Sequence, residues 1–363
     1  MIIDENILLS DEIAVYRLRS LYRSYGYTPY KMSKFEEYDL YVRNKNFLVS
    51  DNIITFTDIG GKLMALKPDV TLSIIKNNKD TPDTVQKVYY NENVYRVSGS
   101  TPAYKEILQT GLECFGRIDT YCISEVLTLA AQSLSCISGE FVLDVSHLGI
   151  VSAVLDSLGV SPAVREELLR CIGEKNAHGA RAICEDESVP EAGIRMLQGL
   201  IAAYGDPKTV LAALDDLLPA DLAKEERQEL AAILSVVPGD NVRLDFSVVQ
   251  DMGYYNGIVF KGFVNGLPVS ILSGGQYDRL MRRMGRKSGA IGFAVYLDLL
   301  KELNRPAAEY DVDTVVLYDE GTDMGAMRDT MQSLIASGKR AVASRSLPDT
   351  ITYREILTLK REG

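Results

Sequence analysis

At 363 residues the chain is long enough for a principal core with one or two smaller units. Its 46% hydrophobic and 25% charged content is that of an ordinary globular protein, and no run of about 18 apolar residues offers a membrane span. A net charge of −11 and a pI near 4.9 argue against a protein whose main task is gripping nucleic acid, since phosphate contacts need a basic surface.

The first residues, Met1-Ile2-Ile3-Asp4-Glu5, carry neither a basic n-region nor an apolar h-region, so a cytoplasmic location is expected. Ser10, Asp11 and Glu12 are placed to cap a helix over residues 10–25, where an acceptor and two acids meet the free N–H groups of the first turn. Ala14, Leu18, Leu21 and Tyr25 form its apolar stripe, and Gly26 ends it. Residues 53–66 alternate around Asp58-Ile59-Gly60-Gly61, which predicts a β-hairpin.

Two strands follow, over residues 88–97 and 107–115. On the second, Gln109, Gly111 and Glu113 share one face because strand side chains alternate. A Gln and a Glu flanking a Gly read either as a ligand floor or as a solvated strand face. Residues 122–135 predict a second helix. Ser161-Pro162 then opens a run of short Ala- and Leu-rich helices ending near Val237-Pro238-Gly239, an all-helical insertion over about residues 155–238.

Strands are expected to resume over 242–249, 253–263 and 268–272, with Asn265-Gly266 as a turn, and residues 288–303 read as a closing helix. From about residue 312 the pattern is strand (315–317), helix (324–335), strand (340–343). The fold class is therefore α+β: an antiparallel sheet core over residues 1–305, interrupted by the helical insertion, and a short C-terminal α/β unit over 306–363.

Cys114, Cys122, Cys136, Cys171 and Cys184 form no CxxC pair, and only His147 and His178 are present to join them. Buried, reduced thiols are expected rather than a zinc site, and the two histidines read as structural. No metal or cofactor is expected. Arg279, Arg282, Arg283, Arg286 and Lys287 form a basic run, read as a solvated loop or partner contact with phosphate contact as the alternative.

Five segments carry a family resemblance. Leu66-Lys67-Pro68-Asp69-Val70-Thr71 resembles the L-R-P-E/D-x-T segment of histidyl-tRNA synthetases. Val94-Tyr95-Arg96 with the run from Tyr104 to Gly116 resembles their motif 2. The run from Gly253 to Phe260 resembles the histidine-specificity segment. Ser273-Gly274-Gly275-Gln276-Tyr277-Asp278 and the run from Gly289 to Ala294 resemble the GGRYD run and motif 3. All five stand in the family's order. The resemblance implies a class II aminoacyl-tRNA synthetase-like fold. It also implies a histidine-binding set of Asp69, Thr71, Arg96, Gln109, Glu113, Tyr254 and Tyr255. Of these, Arg96 keeps the motif 2 arginine position.

The ATP side departs from the family. The histidyl-specific arginine is replaced by Gln250, and the motif 3 Glu-Arg by Asp298-Leu299. Ser98 stands for the motif 2 acid, Tyr296 for a motif 3 glycine, and Ser33 for the motif 1 proline. Fixed positive groups stabilise charge developing at the transferring phosphorus, so losing two of them argues against adenylation. The short C-terminal unit makes tRNA recognition doubtful as well.

This combination resembles the regulatory-subunit family of short-form ATP phosphoribosyltransferase. That resemblance implies a subunit with no catalytic residues of its own, partnered with the ATP phosphoribosyltransferase catalytic subunit, with L-histidine as effector. It also implies a homodimer within a hetero-oligomer, and Tyr22, Tyr25, Tyr27 and Tyr30 are candidates to line the dimer interface. Two alternatives stay open: a divergent active histidine–tRNA ligase, and a pseudo-synthetase scaffold that binds no amino acid.

Overall fold

The computed structural model describes residues 8–43, 53–97, 103–249, 254–302 and 310–359. The chain forms two compact units, divided between Leu303 and Asn304. In the first, α1 (Ser10–Ser24) buries Ile13, Ala14, Leu18 and Tyr22. Its cap differs from the expectation: Ser10 is already helical, and the Glu12 carboxylate reaches back to accept the Leu9 N–H at 2.8 Å. A glutamate at the third position satisfies that donor, which leaves the Ser10 side chain without the capping role.

β1 (Thr28–Pro29) precedes a small antiparallel sheet of β2 (Phe35–Glu37), β3 (Thr55–Thr57) and β4 (Leu63–Leu66), with α2 (Tyr38–Arg43) beside it. The predicted hairpin turn joins β3 and β4, and Asp58 holds it by accepting the Gly60 and Lys62 N–H groups at 2.8 Å each. α3 (Thr71–Asn77) leads into the long pair β5 (Val85–Val97) and β6 (Tyr104–Gly116). α4 (Thr120–Ile137) is capped by Asp119, whose carboxylate accepts the Cys122 N–H at 2.9 Å. β7 (Phe141–His147) and α5 (Leu148–Ser157) follow.

The insertion comprises α6 (Pro162–Gly173), α7 (Ala177–Asp186), α8 (Glu191–Ala202), α9 (Pro207–Leu217) and α10 (Lys224–Leu234). Its composition predicts an all-helical block, and the structure departs from that. β8 (Tyr204–Gly205) breaks it and pairs with β9 (Val242–Asp245), adding a final rung to the main sheet. Two residues leave no periodicity to read, so only the open edge of β9 reveals this strand.

β10 (Ile258–Val264), β11 (Leu272–Gln276), α11 (Asp278–Arg283) and β12 (Gly289–Tyr296) complete the main sheet, followed by a 3-10 helix over Leu297–Glu302. The third resumed strand thus lies four residues later than predicted. The closing helix over 288–303 is corrected more deeply: half of it, Gly289–Tyr296, is β12, a central strand. A strand buried on both faces reads as a continuous apolar run, which periodicity alone does not separate from a buried helix. Among the described residues the sheet order is β1-β5-β6-β12-β11-β10-β7-β9-β8, antiparallel except at β1–β5 and β7–β9.

One buried cluster joins α1, α4 and the insertion to the sheet, and a second gathers Tyr41, Leu72, Ile74, Tyr90, Tyr254 and Tyr277. Tyr22 and Tyr27 are buried within the chain's own core, with the Tyr22 hydroxyl 3.1 Å from Ser133 Oγ. They are thus unable to line a dimer interface as expected. Lys67 is fully buried, its ammonium 2.5 Å from the Glu92 carboxylate. His147 is structural: its Nδ1 accepts the Gly149 N–H at 3.1 Å to cap α5, which leaves Nε2 to donate to Glu229 at 3.1 Å.

The second unit holds β13 (Val312–Leu317), α12 (Met324–Ala336), β14 (Ala341–Ser344) and β15 (Tyr353–Thr358) in a parallel sheet of order β14-β13-β15. β15 was not anticipated, because an exposed edge strand carrying Arg354 and Glu355 lacks an apolar run. None of the described helices is long and apolar enough to cross a membrane.

Candidate functional site

The alternation on β6 places Gln109, Gly111 and Glu113 on one sheet face. Register sets Glu113 opposite Gly292, Gly111 between Tyr90 and Ala294, and Gln109 between Glu92 and Tyr296. Gly292 is required there, since a Cβ would collide with the Glu113 carboxylate and the Leu112 carbonyl. At Gly111 a Cβ would meet the Tyr90 hydroxyl, so the two glycines clear a shallow floor.

Glu113 is the hub. The Thr71 hydroxyl donates to its Oε1 at 2.7 Å, and the Tyr277 hydroxyl to its Oε2 at 2.6 Å. Burial pushes the Glu113 carboxyl up to about 8, and the nearby Asp69 charge adds to this while the two hydroxyls oppose it. Asp69, at the start of α3, accepts the Leu72 N–H at 2.9 Å. Its carboxyl is also raised by burial, against the Leu72 N–H and the charge of Arg96. Arg96 Nε donates to the Pro68 carbonyl at 3.1 Å, which holds that guanidinium at the edge of the acidic pair.

Tyr254 and Tyr255 meet edge to face with centroids 4.7 Å apart, and Tyr254 lies 5.9 Å from the Tyr277 ring. Three short segments interlock to hold them. Gln276 Oε1 accepts the Ile258 N–H at 2.7 Å, and a Cβ at Gly257 would strike that same amide. Asp278 accepts from Asn256 Nδ2 at 3.3 Å through one oxygen and from the Ala290 N–H at 2.9 Å through the other. Asn256 in turn accepts the Arg279 N–H at 3.1 Å. The residues quoted as three separate motifs thus act as one brace.

The fold brings Asp69, Thr71, Glu113 and Tyr254 together, with Tyr255 and Arg96 at the rim. Gln109 shares the floor, buried, and its Nε2 has no hydrogen-bond partner among the described residues. A buried amide without an acceptor costs about 1–3 kcal/mol, which a ligand oxygen would relieve. Gln250 lies outside the described residues, as does the rest of the run to Gly253 and Ser98. Leu299 sits in the 3-10 helix and packs against the main hydrophobic core.

The sequence reading missed Tyr277 and Tyr90. Tyr277 lay in plain view inside the Gly-Gly-Gln-Tyr-Asp run, where two small residues before an aromatic mark a close approach. Tyr90 carried no such signal, because only register puts it beneath Gly111. Part of the basic run is structural: Arg286 Nη2 donates to the Ile75 and Lys76 carbonyls at 2.9 and 3.2 Å, closing the end of α3.

Tyr255 also lines a cleft of about 690 Å³ bounded by α5, α6, Asn256 and Arg279. Among the described residues no group of three or more His, Cys, Asp or Glu could hold a metal ion. The floor thus gathers two carboxyl groups, three tyrosine rings and, among the described residues, one buried amide donor without a partner.

The family model described as histidyl-tRNA synthetase matches residues 10–300. An ATP phosphoribosyltransferase regulatory subunit from Oceanobacillus iheyensis is 26% identical over 297 residues, 80% of this chain and 73% of the relative. A histidine–tRNA ligase from Methanococcus vannielii is 27% identical over 329 residues, 87% of this chain and 77% of the relative. Among solved structures, an ATP phosphoribosyltransferase regulatory subunit/histidyl-tRNA synthetase from Bacillus halodurans matches with TM-score 0.76 at 22% identity, covering 97% of this chain and 94% of that one. A chain of the ATP phosphoribosyl transferase (HisG:HisZ) complex from Thermotoga maritima matches with TM-score 0.63 at 20% identity, covering 81% and 97%. At those identities the structural matches speak to the fold, which is that of histidyl-tRNA synthetase. With its catalogue of motifs braced around one acidic, aromatic pocket, the chain belongs to the histidyl-tRNA synthetase family.

Proposed function

We propose that this chain is a non-catalytic regulatory subunit of ATP phosphoribosyltransferase, acting in the cytoplasm, that binds L-histidine in the pocket around Glu113. Its partner is the ATP phosphoribosyltransferase catalytic subunit, which it joins as a homodimer within a hetero-oligomer. The observation that carries this reading is the asymmetry of the sheet face. The groups suited to an amino acid remain assembled, while the motif 3 arginine position holds Leu299, packed into the core. In this pocket the Asp69 carboxylate takes the α-ammonium, Glu113 and the tyrosines take the imidazole, and the free Gln109 amide takes a carboxylate oxygen.

Feedback follows only if histidine binds one state of the complex more tightly than another, typically by about 1–3 kcal/mol of coupling. The test is reconstitution with a short-form catalytic subunit from the same source, following phosphoribosyl-ATP formation while histidine is titrated. Activation by this chain together with histidine inhibition supports the reading. No rate effect and no co-elution would overturn it. ATP–pyrophosphate exchange driven by histidine would instead favour the ligase, and binding of a partner without any amino acid would favour the scaffold.

A further inference from the structure

The middle of the β6 face carries a phenol that lies outside the histidine-binding set implied by the family resemblance. Tyr90 is buried and stands opposite Gly111 in the β5–β6 register. A Cβ built on Gly111 would lie 2.5 Å from the Tyr90 hydroxyl and 2.6 Å from its Cζ. The tip of the phenol therefore occupies the space that a side chain at 111 would take. Gln109 and Glu113 sit about 7 Å to either side of that space, because same-face strand residues are two rises apart. The hydroxyl thus stands at the centre of the floor, between the two side chains that flank Gly111.

Its neighbours decide what it can do there. Both oxygens of Glu113 already accept a hydroxyl, from Thr71 at 2.7 Å and from Tyr277 at 2.6 Å. Burial raises the Tyr90 phenol well above its ordinary range, so it keeps its proton and can donate. Gln109, the next residue on the same face, offers a buried Nε2 with no hydrogen-bond partner among the described residues. Two donors on neighbouring positions of one face match the two oxygens of a carboxylate. A ligand without that carboxylate leaves a buried donor unpaired, and sites built around a hydrogen bond discriminate most strongly in this way.

We infer that the Tyr90 hydroxyl is a specificity-determining contact, donating together with Gln109 to the ligand's α-carboxylate, so that the pocket selects the free amino acid over the alcohol of the same side chain. The inference rests on the histidine reading of this pocket and adds to it the part of the molecule that is read. Gly111 then serves selectivity, because any side chain there would push the phenol off the floor.

The test titrates the full-length chain by calorimetry with L-histidine and with L-histidinol, unmutated and as Tyr90→Phe. That substitution keeps the ring and its packing and removes only the hydroxyl. The unmutated chain should bind histidine more tightly than histidinol. In Tyr90→Phe, histidine affinity should fall about 10- to 150-fold, the range for a hydrogen bond to a charged group, while histidinol affinity stays unchanged. Retained histidinol binding also shows that the variant's pocket is intact. Histidine affinity that survives the substitution would overturn the inference and leave the carboxylate to Arg96 at the rim. An equal loss for both ligands would overturn it too, and so would equal affinity of the unmutated chain for the two, a comparison that needs no substitution. These three results strike the Tyr90 contact alone. An unmutated chain that binds neither ligand would instead overturn the histidine reading and this inference with it.

Discussion

The two ends of the β6–β12 pairing share one sheet face and differ in what they do with charge. At the Glu113 end, acids are held by hydroxyls and N–H groups that come from the start of α3 and from Tyr277. At the Gln109 end, Tyr296 stands across the register, and the following 3-10 helix turns Leu299 into the core. Near that end the buried Lys67 and Glu92 neutralise one another. Under the proposed function, the difference teaches that a fold can keep recognition without the fixed cations that phosphoryl chemistry needs. Recognition would then rest on hydrogen bonds between neutral and acidic groups, which survive without them.

The largest way to break that comparison is Lys67→Met. It strips the counter-ion from Glu92, whose side chain is 15% exposed, and should cost about 3–5 kcal/mol of stability by denaturant unfolding. A loss under 1 kcal/mol would show the pair to be dispensable and the Gln109 end not to depend on charge pairing. Next, Glu113→Ala removes a carboxyl that is neutral near pH 7 and whose hydrogen bond is worth about 0.5–1.5 kcal/mol, so histidine affinity by calorimetry should fall roughly 2- to 12-fold. Unchanged affinity with an intact fold would move the histidine site away from this floor.

The smallest expected effect is on pH. Because the folded state holds the Glu113 proton up to about 8, its contribution to stability is fully present below the ordinary carboxylate range. That contribution declines as pH rises toward and through 8. Asp144, raised to about 6 chiefly by burial and also by Asp245, acts in the same direction over a lower window. The melting temperature of the ligand-free chain should therefore drift down as pH climbs from 6 to 8.5, and Glu113→Gln should flatten the upper part of that drift. An equal slope in the variant would assign the drift to other groups.

Much of the site was legible because its residues sit in short contiguous runs. Strand alternation alone groups Glu113 with Gln109, four residues away, whereas Asp69 and Thr71 are grouped by their resemblance to the L-R-P-E/D-x-T segment. Tyr277 and Tyr90 were not, since their roles arise across gaps of 164 residues to Glu113 and of one strand register to Gly111. The apolar run around Ile291 was read as helix, because local pattern does not say whether a neighbouring strand offers an open edge.

The sequence by itself determined the motif order, the α+β class, the place of the insertion and the absence of arginine at 250 and 299. Those properties are carried by residue identity and by near-neighbour periodicity. Only the tertiary structure decided that β12 is a strand, that β8 ties the insertion to the sheet, and that Glu113 is shared between Thr71 and Tyr277. Each of these depends on which distant backbone lies alongside, and long-range pairing is chosen by the packing of the whole core rather than by any segment's own preference.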